Sequence, residues 1–153
     1  MNNKMKTITI LTTLGISLLF SFTLKKDNME VQKIKNTITK KYIHGAFNET
    51  NIDAFKTIFH PEFSIINIQE NGTLFQFTRD MWEDVLKERV YNKAFDYATI
   101  ALTPKYQNVS ITENKASVTL DLLLNDKVVY TDFLLLSKID NEWIIVSKIY
   151  HEH

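Results

Sequence analysis

From Tyr97 to Tyr150 the chain carries no helical period. One extended segment follows another, and two-residue turn pairs divide the later ones. In Ala116–Leu124 the residues Ala116, Val118, Leu120, Leu122 and Leu124 alternate with Ser117, Thr119 and Asp121, the period of a strand with two unlike faces. Asn125-Asp126 and Asp140-Asn141 are tight-turn pairs that set off Val128–Ile139 and Trp143–Tyr150. Tyr97–Leu102 and Tyr106–Thr112 read as two further strands flanking Pro104. Strands joined by such short turns must run antiparallel, because a parallel crossover needs a dozen or more residues.

Helical spacing is confined to the first half. Between Asn28 and Asn48 the residues Val31, Ile34, Ile38, Tyr42 and Gly45 form one stripe, with Lys33, Lys40 and His44 turned away from it. Asn51 caps a short second helix containing Ile52, Phe55, Ile58 and Phe59, which Pro61 is expected to stop. Phe63–Gln69 reads as a strand, Asn71-Gly72 as a hairpin turn and Thr73–Phe77 as the return strand. Thr78 caps a third helix through about Arg89, with Met81, Trp82, Val85 and Leu86 on one side. Helices first and sequential strands afterwards predict an α+β fold with an antiparallel sheet.

The N-terminus has a different character. Lys4 and Lys6 precede Thr7–Leu24, which runs 18 residues without a charge before Lys25-Lys26-Asp27. A basic head followed by an uncharged apolar stretch is the pattern of a secretory signal peptide, here residues 1–24, which leaves 25–153 as one domain. An uncleaved membrane anchor is the alternative. The segment holds seven Ser or Thr and sits at the lower limit of what spans about 30 Å of hydrocarbon. The chain is therefore expected to be exported, to the periplasm or beyond, and a bacterial source fits its richness in Lys, Asn and Ile. With no Cys, its fold rests on its core alone. Eighteen basic and 18 acidic residues give no electrostatic reason to expect nucleic acid as a partner.

A two-residue turn at Asp140-Asn141 places Ile139 opposite Glu142 and sorts the last two strands into faces. One holds Tyr130, Asp132, Leu134, Leu136 and Lys138 beside Trp143, Ile145, Ser147 and Ile149. The other holds Phe133, Leu135, Ile139, Ile144, Val146, Lys148 and Tyr150, which puts Lys148 on the other face of the sheet from Asp132. Both faces are largely apolar, so helices can cover one and a second subunit is expected on the other, forming a homodimer through the sheet.

The order of motifs resembles a known family. Tyr42-Ile43-His44-Gly45 ends a helix, His60-Pro61-Glu62 closes the next, and an Asn-Gly turn leads to Phe77-Thr78-Arg79-Asp80. The chain finishes with Tyr130-Thr131-Asp132-Phe133-Leu134 and Trp143-x-Ile145-Val146-x-Lys148. Over residues 30–150 this is similar to the nuclear transport factor 2-like superfamily, in its putative lumazine-binding branch. The resemblance implies a cone: a strongly curved antiparallel sheet wrapped around two to three helices, with a pocket inside. Relatives include isomerases, dehydratases, cyclases and hydrolases as well as binding and dimerisation modules. Thr103–Asn108 departs from the compact family pattern as an apparent extra loop entering the third strand.

Asp132 stands mid-strand among apolar neighbours, where a carboxylate is unexpected. In an apolar pocket it would serve as the general base of a cofactor-free isomerase, dehydratase or cyclase, with Tyr42 polarising a carbonyl; the resemblance implies this role for an acid projecting into the cone. Alternatively it is a structural Asp at a bulge or paired with a Lys. Tyr42, Phe77, Trp82, Tyr130 and Asp132 form the expected binding set for a small hydrophobic or aromatic ligand, with plain core packing as the alternative for the aromatics. A third reading is an interaction module whose cone is filled by side chains. No cofactor or metal is expected: the chain has no Cys/His cluster, no carboxylate cage and no Gly-rich phosphate loop. His151-Glu152-His153 is read as a free C-terminal tail rather than a metal site, and His44 and His60 as surface or capping residues.

Overall fold

The computed structural model describes residues 27–153, so the expected signal segment lies outside the described residues. Residues 27–33 are helical. The sheet belongs to the compact unit Ile34–His153, in which helix α1 (34–48) turns α-helical over 34–37 and π-helical over Ile38–Asn48. Helix α2 (Ile52–Ile58) and strands β1 (Phe59–Ile68) and β2 (Leu74–Thr78) follow. Helix α3 (Arg79–Tyr91) and a 3-10 turn (Tyr97–Ile100) lead to β3 (Thr103–Thr112), β4 (Lys115–Leu124), β5 (Lys127–Ile139) and β6 (Glu142–Glu152). The six strands make one curved, unclosed sheet in the order β2-β1-β6-β5-β4-β3. All neighbouring pairs are antiparallel except β1 with β6, so the sheet is mixed rather than purely antiparallel.

Local chemistry sets the boundaries. Asn51 Oδ1 accepts the Ala54 amide at 2.9 Å and Thr78 Oγ1 the Met81 amide at 3.3 Å, each taking up an N–H that its helix leaves free. Asn125-Asp126 and Asp140-Asn141 hold positive φ angles of 50°, 63°, 48° and 65°, the left-handed pairs whose twist matches two-residue hairpins. Within the π segment the Glu49 amide bonds the His44 carbonyl, five residues back, at 2.9 Å. Here α2 approaches closely. A Cβ on Gly45 would stand 2.7 Å from the Ala54 Cβ, so only glycine fits that crossing.

Three expectations need correction. Pro61 does not stop α2, which ends at Ile58. Instead Pro61 lies on β1, where pairing with β6 is interrupted between Phe59 and Ser64, a stretch that tolerates a residue without an N–H. Tyr97–Leu102 is not a strand: Tyr97–Ile100 form a 3-10 turn. Asp96 Oδ1 caps it by accepting the Ala98 amide at 3.0 Å. Thr103–Asn108 is not an inserted loop but part of β3, paired to β4 from Thr103 onward, with Gln107 as its single unpaired residue. Bulges of this kind bend a strand and raise its twist, and others fall at Val129 in β5 and Val146 in β6.

The core fills the concave side. Ile34, Ile38, Tyr42, Ile43 and Ala46 of α1 and Phe55 and Ile58 of α2 are fully buried, together with Leu120, Leu122, Leu134, Trp143 and Ile145 of the sheet. Asn48 ties α1 to the entry of β3, donating to the Leu102 carbonyl at 2.8 Å and accepting its amide at 2.9 Å. The convex side stays apolar and uncovered: Phe133, Leu135 and Ile149 are 42%, 54% and 50% exposed.

Candidate functional site

The bulge at Val146 decides the site. From the turn as far as Leu136↔Ile145 the β5–β6 register is the expected one, but Leu135 then pairs with Ser147 and Leu134 with Lys148. Val146 takes up one residue without a partner, and every later side chain of β6 changes face. Lys148 and Tyr150 therefore join Asp132 on the concave face, whereas Ser147 and Ile149 turn outward. The expected placement of Lys148 on the other face from Asp132 is thus reversed.

Under the sheet these residues make a closed triangle. Tyr42 donates its hydroxyl to Asp132 Oδ2 at 2.7 Å, Lys148 Nζ donates to Tyr42 Oη at 2.7 Å, and the same Nζ stands 2.8 Å from Asp132 Oδ1. Oδ1 is held by charge, without an aligned hydrogen bond. All three are buried, Asp132 completely and Lys148 to 6% exposure. Burial pushes the Tyr42 phenol well above its ordinary value near 10, and the Asp132 charge adds to this. Burial pulls the Lys148 ammonium down, and the same carboxylate opposes the shift. The Nζ also lies 5.3, 5.8 and 5.2 Å from the ring centroids of Tyr42, Trp82 and Tyr150, so aromatic faces surround the cation.

Above the triangle a cavity of about 380 Å³ opens, within the range of small-molecule sites. Ile65, Asn67, Phe75 and Phe77 of the β1–β2 hairpin form one wall, and Trp82, Val85 and Arg89 of α3 another. Leu122, Tyr130, Lys148 and Tyr150 of the sheet and Phe47 of α1 complete it. Of the expected binding set, Phe77, Trp82 and Tyr130 line this space, whereas Tyr42 and Asp132 lie beneath it. Trp82 is also core, packing at 5.0 Å on Phe59 and 5.9 Å on Tyr42. A general base must reach the proton it removes. Asp132 has no surface on the cavity, and its oxygens face Tyr42 and Lys148, so it is placed as the counter-ion of Lys148.

The model of a family described as putative lumazine-binding matches residues 29–151, four-fifths of the sequence. The chain belongs to the putative lumazine-binding family. Its fold is nuclear transport factor 2-like. An NTF2-like protein of unknown function from Silicibacter pomeroyi superposes with a TM-score of 0.64 at 19% identity, covering 83% of this chain and 98% of its own. One from Shewanella baltica gives 0.63 at 22%, covering 82% and 94%. A third, from Methylobacillus flagellatus, gives 0.56 at 17%, covering 81% and 92%. No curated protein matches this one. The family's description points to small-molecule binding.

In this putative lumazine-binding chain the sequence pattern passed over Lys148, Arg89, Phe47 and Tyr150 as site residues. For Arg89 a signal existed: it follows Trp82 by seven residues and Val85 by four, on one stripe of α3. For Lys148 it was a charge inside the apolar run Trp143–Tyr150.

Proposed function

We propose that this chain is an exported protein that binds a small, largely apolar or aromatic molecule in the concave cavity, with Lys148 as its polar anchor. The observation that carries this reading is the cavity itself, about 380 Å³ walled by aromatic rings and floored by a pinned ammonium. Lumazine, which the family's description names, is one candidate. The test is ligand-dependent stabilisation. A flat bicyclic aromatic at a hundredfold excess over its Kd raises the unfolding free energy by about 2–3 kcal/mol, and a screen of such compounds that leaves Tm unmoved overturns the reading.

Export rests on the Lys4–Leu24 pattern. The intact mass of the protein recovered outside the cytoplasm is expected to lack residues 1–24, and retention of the full-length chain inside the cell refutes export.

A homodimer through the convex face is the second part of the proposal, favoured by the exposed row Phe133, Leu135 and Ile149. Sedimentation equilibrium is expected to give twice the chain mass, and Leu135→Lys with Ile149→Lys to give a folded monomer. A wild-type chain that sediments as a monomer refutes it.

A further inference from the structure

The cavity lining is electrically one-sided. It includes two cations, Lys148 and Arg89, and no carboxylate. Asp132 answers Lys148 from below, but among the described residues no acid answers Arg89. Its guanidinium stands 5.5 Å from the ring centroids of both Phe47 and Phe95. Its electrostatic neighbours are the phenols of Tyr97 and Tyr130, and its Nη1 is buried without a hydrogen-bond partner. Among the described residues no acid lies within ion-pair distance of it. A buried guanidinium N–H left unpaired carries a desolvation cost that a native fold offsets with a partner. Lys148 points the same way: an ammonium has three donors, and Tyr42 and Asp132 occupy two sides of it, which leaves one for the cavity.

Resting on the binding reading above, the geometry points to an organic anion as the ligand: an aromatic or alicyclic carboxylate whose acid group pairs with Arg89 while its apolar body lies against Trp82, Phe77 and Tyr150. Planar guanidinium matches planar carboxylate in a two-point fork. The Phe47 and Phe95 rings beside it restrict that fork before the ligand arrives, which lowers the entropy lost on binding.

Calorimetric titration of the full chain with two matched probes, 2-naphthoate and neutral 2-naphthalenemethanol, tests this. The acid is expected to bind at least tenfold more tightly than the alcohol. Arg89→Met is expected to weaken the acid by about ten- to a hundredfold, the range of a charge-assisted hydrogen bond, and to leave the alcohol within about twofold. Arg89→Lys keeps the charge but loses the fork and falls between the two. It also preserves the test if the Met variant fails to fold. Equal binding of acid and alcohol to the wild type, or equal losses for both probes in either variant, overturns the anion. If neither probe binds the wild type, the cavity reading falls first and this inference falls with it.

Discussion

Asp132→Asn is expected to lower the unfolding free energy by about 3–5 kcal/mol, a drop in Tm of roughly 10–20 °C. The amide can still accept the Tyr42 hydroxyl, so the change removes charge with little loss of shape. What remains is the Lys148 ammonium, 6% exposed and without its counter-ion. Lys148→Met strands the carboxylate instead and is expected to cost a similar amount. The double variant removes both charges, and a pair replaced by groups of similar volume is often close to neutral. The two single losses, about 6–10 kcal/mol together, should therefore exceed the loss of the double by most of that amount. Strictly additive losses would show that the triangle is not a coupled unit.

The same variant carries a pH signature. Burial already holds the Lys148 ammonium below its ordinary value near 10.5, and Asp132 opposes that shift. Without the carboxylate the folded value falls further while the unfolded value stays. Between the two the unfolded chain binds more protons than the folded one, so stability rises with pH, by at most about 1.4 kcal/mol per unit. Asp132→Asn should thus be most damaging near pH 6 and recover part of its loss towards pH 9.5. The window stops there because Tyr42, held well above 10 by burial, contributes the opposite slope once unfolded phenols ionise. Urea melts at the two pH values measure this, and a loss independent of pH would mean that Lys148 relaxes into solvent.

How much of this was legible in the sequence depended on the range of the forces involved. Caps and turns are decided within four residues, so Asn51, Thr78, Asn125-Asp126 and Asp140-Asn141 could be read directly. The shared face of Tyr130, Asp132, Leu134 and Leu136 followed from alternation in a strand whose bulge at Val129 falls before them, though not which side of the sheet it was. The failure at Lys148 had one cause. Nothing in Ile144-Ile145-Val146-Ser147 announces a bulge, since where the extra residue falls is set by pairing across a curved sheet and not by its sequence neighbours. The parallel β1–β6 contact was hidden for a related reason, because it joins segments some eighty residues apart with no shared turn.

Val85→Trp is expected to abolish ligand binding, with a loss of at least a hundredfold, while the fold survives. Val85 is half-buried on α3 and lines the cavity between Trp82 and Arg89. An indole there projects into a space of about 380 Å³ instead of into close-packed core, so the strain that an enlarged core residue normally causes is largely avoided. It also covers apolar cavity walls, so Tm should hold or rise, whereas a Leu120→Trp change in the fully buried core should lower it. The combination of full stability with lost binding separates a ligand cavity from a cone built only as scaffold. A Val85→Trp protein that binds 2-naphthoate as the wild type does would place the ligand elsewhere, and the concave cavity would then have no part in its recognition.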